Sequence, residues 1–161
     1  MKTWRETQHV PSTLTPLDYA YRLLARRAYS EQALAEKMLA KGFSEGTVQR
    51  TVNRLQEQGY LHDTRVATDL VEQYRTRGFG PEAIKSKLLQ KGVSLETIEQ
   101  VLSDTDAEEI EDARQLLASR FSADALKDFR AYARAYRLLI RRGYSQNVVE
   151  TLLGGPPEPD M

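Results

Sequence analysis

RAYSEQALAEKMLAKGFSEGTV, residues 27–48, lies without a gap over RGFGPEAIKSKLLQKGVSLETI, residues 77–98, fifty residues further along the chain. Eight of the 22 aligned positions are identical: Arg27, Ala33, Lys37, Leu39, Lys41, Gly42, Ser44 and Thr47 match Arg77, Ala83, Lys87, Leu89, Lys91, Gly92, Ser94 and Thr97. The shared centre reads K-x-L-x-K-G-[FV]-S. A third echo, AYRLLIRRGYS at residues 135–145, differs from AYRLLARRAYS at residues 20–30 only at Ala25/Ile140 and Ala28/Gly143. A period of this length denotes a stacked array of small helical units, so function is expected on a surface that spans units.

The helix-punctuating residues around the repeat divide the chain regularly. Thr15 is placed to cap a helix with Pro16 at its first position and Asp18 returning a capping-box contact. Ser30 caps a second helix ending at Lys41 with Gly42 as the left-handed turn, and Ser44 caps a third ending before Gly59. The pattern resumes with Asp63 as a cap, a stop at Gly78, Pro81 opening the next helix, Gly92 closing it, and Ser94 capping a short helix to about Ser103. Further helices are expected over Asp106 to Ser119, Ala123 to Arg142 and Gln146 to Leu153, nine in all, followed by a frayed GGPPEPDM. The stripe Leu34, Met38, Leu39 repeats as Ile84, Leu88, Leu89, while no stretch alternates as a strand does. The expected fold is all-α: three tandem three-helix repeats, helix-turn-helix-like, in an elongated, curved array. The units fall at 16–62, 63–104 and 105–153, between a flexible leader at 1–15 and a flexible tail at 154–161. In the last third the phase is open, because the AYRLL echo matches the end of a unit's first helix yet sits in the eighth helix.

Composition limits the chemistry. The 161 residues carry 23 basic and 23 acidic side chains, two histidines and no cysteine, which excludes disulfides and thiolate metal sites and fits a cytoplasmic protein. No apolar run approaches the roughly 20 residues of a membrane span, and no signal-peptide core is present. His9 lies in the leader, and His62 precedes Asp63 at a turn, a pairing that reads first as structural. There is no phosphate-loop, dinucleotide or zinc-protease signature, no cluster with metal-ligand spacing, and hence no expected cofactor, metal or enzymatic activity.

The zero net charge is unevenly spread. Residues 1–60 hold nine Lys/Arg against six Asp/Glu, whereas Asp104 to Asp112 holds six acids and no base. That acidic run reads either as helix-dipole complementarity or as a recognition patch. Basic residues recur at matching places: Arg26, Arg27, Lys37 and Lys41, then Arg75, Arg77, Lys87 and Lys91, then Arg141 and Arg142. In stacked units they would form a basic face able to follow a phosphate backbone or meet a protein partner, although last-turn cations also complement helix dipoles. The K-G-[FV]-S joint is helix-turn-helix-like, with Gln49, Arg50, Asn53 and Arg54 on the candidate reading helix. Its counterpart carries Glu99, Gln100 and Ser103, which argues against sequence-specific operator reading.

Taken in order, AYRLLARRAYSEQALAEKMLAKGFS, GYLHDTRVA at 59–67, RTRGFGPEAIKSKLLQKGVS and RLLIRRGYSQNVVETLL at 137–153 resemble the RecX family of recombination regulators. The resemblance covers about Leu17 to Leu153, with departures at His62, where an acid is common, and Val66, where an aromatic is. It implies three tandem three-helix units and a monomer that binds the RecA recombinase and its filament on single-stranded DNA. It further implies that filament growth is blocked or disassembly promoted, restraining strand exchange, ATP hydrolysis and co-protease activity within the SOS response and DNA repair. The ATPase would be RecA's. Weak binding to single- or double-stranded DNA is a further expectation. The competing readings are a DNA-binding regulator acting alone and a helical protein scaffold.

Overall fold

The computed structural model describes residues 14–103 and 106–158; the expected leader up to residue 13 with His9, the acid Asp104 and the last three tail residues lie outside them. The described residues form nine α-helices and no strand. These are α1 (Pro16–Arg26), α2 (Glu31–Lys41), α3 (Glu45–Glu57), α4 (Asp63–Thr76), α5 (Pro81–Gln90), α6 (Leu95–Leu102), α7 (Asp106–Arg120), α8 (Phe129–Arg141) and α9 (Gln146–Leu153).

Short polar caps start most of them. The Thr15 hydroxyl accepts from Asp18 N–H at 3.1 Å, and Ser30, Ser44, Ser94 and Ser145 accept from Ala33, Thr47, Thr97 and Val148 at 3.2, 3.3, 3.2 and 3.4 Å. Each satisfies one of the four orphan donors at a helix start, worth about 1 kcal/mol. The expected stripe holds for Leu34, Met38, Ile84 and Leu88, but Leu39 and Leu89 are 42% and 47% exposed. Two expectations about helix starts also fail. His62, not Asp63, holds the N-cap position of α4, with no side-chain cap bond; Asp63 is the first helical residue and turns its carboxylate elsewhere. The helix expected from Ala123 is a short 3-10 turn, Ala125–Lys127, followed by α8. The break is Asp128, whose extended backbone (ψ 130°) lets its carboxylate accept from Ala131 N–H at 2.8 Å and start α8 there.

Three apolar clusters organise the helices: Ala20, Leu34, Met38, Val48, Val52 and Leu55 within α1–α3; Val71, Tyr74, Ile84, Leu88 and Ile98 within α4–α6; Leu117, Ala135, Leu139, Tyr144 and Val149 within α7–α9. The helix ends repeat one geometry. Gly42, Gly92 and Gly143 have φ of 108°, 77° and 89°, and the following Phe43, Val93 and Tyr144 N–H groups donate to Met38, Leu88 and Leu139 carbonyls. This is the six-to-one closure of a left-handed helix C-terminus. It resolves the phase left open by the AYRLL echo. Gly143-Tyr144-Ser145 occupies the place of Gly42-Phe43-Ser44 and Gly92-Val93-Ser94, so α8 corresponds to α2 and α5, with buried Ala135 and Leu139 at the positions of Leu34 and Met38.

The groups join end to end. Gly80 and Glu82 N–H at the start of α5 donate to the Arg142 and Gly143 carbonyls at the end of α8, at 2.7 and 3.0 Å. Ser30 Oγ at the start of α2 donates to the Lys91 carbonyl at the end of α5, at 2.9 Å. Orphan donors of one helix therefore meet orphan acceptors of the next with dipoles in sequence. At the α8–α5 joint the approach leaves no room: a Cβ on Gly143 would stand 2.3 Å from Ala83 N and 2.5 Å from its Cβ, whereas one on Gly92 would stand 3.2 Å from Ser30 Oγ and 3.4 Å from Ala33 N, close without collision. Ala83 is small because it receives the terminal glycine of the following group.

Gly42 has the same left-handed backbone but nothing within 4 Å of its virtual Cβ. Gly42→Ala should therefore lose only the conformational preference, about 1 kcal/mol, whereas Gly143→Ala adds a backbone collision and should cost roughly 3 kcal/mol or more. Urea denaturation of the two variants side by side checks this; equal losses would mean the α5–α8 joint is not close-packed.

Candidate partner-binding surface

The ten basic residues expected on one face are placed in several surroundings. Arg27, Lys37 and Lys91 line a cleft of about 860 Å³ between the first and second groups, with Tyr29, Ala33, Glu36 and Asp69 among its other walls. The Arg27 guanidinium stacks 4.5 Å from the Tyr29 ring centroid, which orders its planar fork while leaving its edge to solvent. Lys41 lies 5.8 Å from the Tyr19 ring, and Lys87 lies 4.4 Å from Phe79 and 5.5 Å from Tyr74. Arg26 is exposed in the last turn of α1. Arg142 covers Phe79 at 4.9 Å and donates to the Arg77 carbonyl at 2.8 Å, so it ties the second group to the third.

Arg75 is drawn inward. Its Nε and Nη2 donate to Asp112 at 2.6 and 3.2 Å, and Nη1 reaches Glu108 at 2.6 Å and Glu72 at 3.3 Å. With Arg75 and Asp112 side chains each only 20% exposed, the fork binds a partly dehydrated carboxylate. The Asp112 hydrogen bond, outweighing the cost of burial, holds the Arg75 charge more firmly than usual. Its charge is compensated by α7 and is not offered to a partner.

Three acids of the run, Glu108, Glu109 and Asp112, have an internal role beside the two expected readings. Glu108 and Asp112 hold Arg75 across the joint, Glu109 is buried and accepts from Ser145 N–H at 2.6 Å, and Glu111 pairs with Arg114 at 2.5 Å. Asp63 does similar work at the other joint, accepting from Glu31 N–H at 2.9 Å at the start of α2. Burial pushes its carboxyl above the ordinary value of 3.8, opposed by that hydrogen bond, with the nearby Glu31 charge adding to the rise. Near Asp112 and Glu109, burial pushes the Tyr144 hydroxyl up to about 12, and among the described residues this hydroxyl has no hydrogen-bond partner.

On the candidate reading helix α3, Gln49, Arg50, Asn53 and Arg54 are exposed, but Gln49 is bonded to Asn53 at 2.9 Å and Arg50 to Thr47 at 3.3 Å. The arginines that the sequence reading passed over lie on α8. Arg141 shares a groove of about 440 Å³ with Arg120, Arg134 and Arg137 around Phe121. Their signal was available as the i, i+4, i+7, i+11 spacing of Arg130, Arg134, Arg137 and Arg141.

Comparison with known proteins agrees with this geometry. Family models described as the first and second three-helix domains of RecX match residues 17–55 and 63–102, the spans of the first two groups. The chain is 34% identical over 135 residues to the regulatory protein RecX of Xanthomonas citri, covering 84% of this chain and 83% of that protein. It is also 34% identical to that of Halorhodospira halophila, over 89% of both. The chain belongs to the RecX family. The crystal structure of RecX from Lactobacillus salivarius superposes with a TM-score of 0.70 at 18% identity, over 86% of this chain and 92% of that one, a likeness of fold. A second crystal structure of regulatory protein RecX gives 0.71 at 20% identity, over 85% and 69%. RecX membership makes this chain a regulatory protein. Among the described residues no group of His, Cys, Asp or Glu could hold a metal ion, and no helix is long and apolar enough to cross a membrane.

Substitutions at two positions, Asp63 and Tyr144, check these polar groups. Asp63→Asn keeps a cap acceptor without the charge, whereas Asp63→Ala removes both and should cost about 1 kcal/mol. Because Asp63 has a raised folded pKa, the native state holds its proton more tightly; the associated stability is fully present below 3.8 and lost as pH rises through the folded value. The stability of Asp63→Asn relative to wild type should therefore improve between pH 3 and pH 7, and a difference independent of pH would contradict the assignment. Tyr144→Phe removes an unpaired buried hydroxyl and should raise stability by about 1 kcal/mol in thermal melts, where a loss would reveal a missed partner.

Proposed function

We propose that this RecX-family chain restrains the RecA recombinase in the cytoplasm. It binds the RecA filament on single-stranded DNA and limits filament growth or promotes disassembly, lowering strand exchange, ATP hydrolysis and co-protease activity. The observation that carries this reading is the end-to-end stack itself. Helical groups locked at successive joints make one long body with repeating surfaces, suited to a partner that is itself a repeating array.

The physical consequence is multivalency. Each group makes a weak contact, but once one is engaged the others act at high effective concentration, so a filament is bound tightly while free RecA is bound poorly. A body that spans neighbouring RecA subunits prefers the subunit arrangement that fits it and shifts the filament toward that arrangement. The chain contributes contacts and no chemistry, and the hydrolysis it controls is RecA's. The cleft between the first two groups, with Arg27 ordered on Tyr29 and flanked by Lys37 and Lys91, is the surface we assign to that contact.

Titration of the full chain into RecA hydrolysing ATP on single-stranded DNA tests this reading. Inhibition should appear at concentrations at least about tenfold below those that coat bare DNA, a margin set by the linked contacts. Arg27→Glu with Lys37→Glu should weaken the inhibition about tenfold or more. Absence of inhibition, or inhibition only at DNA-saturating protein, would reject it.

A further inference from the structure

The two joints of the stack are fastened in different ways. The second and third groups are tied at separated places: Gly80 and Glu82 N–H on the end of α8, Arg142 on the Arg77 carbonyl, and Arg75 on Asp112 and Glu108 of α7. Fastenings spread over several helices resist rotation in every direction. The first and second groups are tied at adjacent residues, where Ser30 Oγ donates to the Lys91 carbonyl and Glu31 N–H to Asp63 Oδ1, both at 2.9 Å. No ion pair among the described residues crosses this joint. Fastening at one place resists separation and leaves a rotation about it.

The chain passes between these two groups at the same place. After α3 it stays bound to the first group: Gln58 accepts from the Tyr21 hydroxyl at 2.7 Å, the Tyr60 ring meets the Tyr21 ring at 5.2 Å, and Leu61 is buried in the first apolar cluster. Asp63 already belongs to α4, in the second group. His62 alone stands between them, exposed, with φ −138° and ψ 87° in neither helix. A large change in two backbone angles at one such residue is enough for a hinge.

The cleft has the form such a hinge would work on. Helices α2 and α4 start side by side, joined at Glu31 and Asp63, and successive turns of each line the cleft: Ala33, Lys37 and Ala40 on one wall, Val66, Leu70 and Gln73 on the other. The far ends of these walls lie nine or ten residues along the helices, so a rotation of roughly 20° at the joint would move one against the other by roughly 5 Å.

We propose that the joint between the first two groups is a hinge, with His62 as pivot and the Asp63–Glu31 hydrogen bond as latch. The first group swings as one body against the fused second and third groups, which widens and narrows the cleft and changes the curvature of the stack. This goes beyond the RecA reading and is independent of it. The third group has no such freedom, because Gly143 is seated on Ala83 and the arginine clasps hold it there.

The chain has no cysteine, so spin labels can be placed on it in chosen pairs. Gln49, Glu99 and Glu150 stand at matching exposed positions of α3, α6 and α9, seven residues after Gly42, Gly92 and Gly143. Double electron–electron resonance on Gln49→Cys with Glu99→Cys reads the first joint, and on Glu99→Cys with Glu150→Cys the second. Label motion contributes alike at matching positions, so the first distance distribution should be at least about twice as wide as the second. Asp63→Ala should widen the first further and leave the second unchanged, with circular dichroism confirming the helical fold. In the unlabelled chain the Glu31 N–H, corrected for its intrinsic rate, should exchange with deuterium at least about tenfold faster than the Glu82 N–H. The proposal is overturned if the two distributions are equally wide, if Asp63→Ala leaves the first as it was, or if the two amides exchange alike. No RecA enters these measurements, so their failure leaves its inhibition untouched.

Discussion

A helix end with unsatisfied carbonyls, set against a helix start with unsatisfied amides, is the interaction on which the rest of this structure depends. At the α8–α5 joint the two meet directly, through Gly80 and Glu82 N–H on the Arg142 and Gly143 carbonyls. At the α5–α2 joint the Ser30 hydroxyl mediates, donating to Lys91 while accepting from Ala33 N–H. The tighter joint requires a residue without a side chain at the end of the accepting helix, and a small one at the start of the donating helix, because the backbones approach to near contact. Glycine at position 143 and alanine at 83 are consequences of that approach, whereas Gly92, like Gly42, answers to its left-handed backbone. The fifty-residue period returns the second helix of each group to the same place.

The two joints differ in tightness, and the charge distribution follows the difference. Where backbone meets backbone, the second and third groups are further fastened by Arg75 on Asp112 and Glu108 and by Arg142 on the Arg77 carbonyl. Where a hydroxyl mediates, a cleft remains, and Asp63 is the acid that holds it from one side. Three of the six acids in a run that looks like a recognition patch therefore act as internal fastening.

The fold was legible because its determinants are local. Serine and threonine caps, glycine stops and the i, i+4 apolar stripe each act within one turn of helix, and they place nearly every boundary within a residue or two. The failures came where a polar side chain had a choice of partner. Asp63 sits where a cap belongs, but the Glu31 amide, thirty-two positions away in sequence, competes for it successfully. Asp128 lies inside an uninterrupted helical pattern, yet its carboxylate reaches its own local amide and restarts the helix there. The surface was less legible for the same reason. Arg75 is equivalent to other last-turn cations in sequence, and only the packing of α7 reveals that its charge is already matched.

The end of a stack poses a problem that its middle does not. Where an inner face meets its neighbour closely, its sequence is fixed by fit: Ala83 where Gly143 arrives, Phe79 where a ring fills the joint under Arg142. The face of α8 is relieved of that constraint and could carry any soluble residues. It carries arginines at successive turns, with aromatic rings beside them and no acid to neutralise them. Like charges at this spacing repel and lower the stability of the isolated helix.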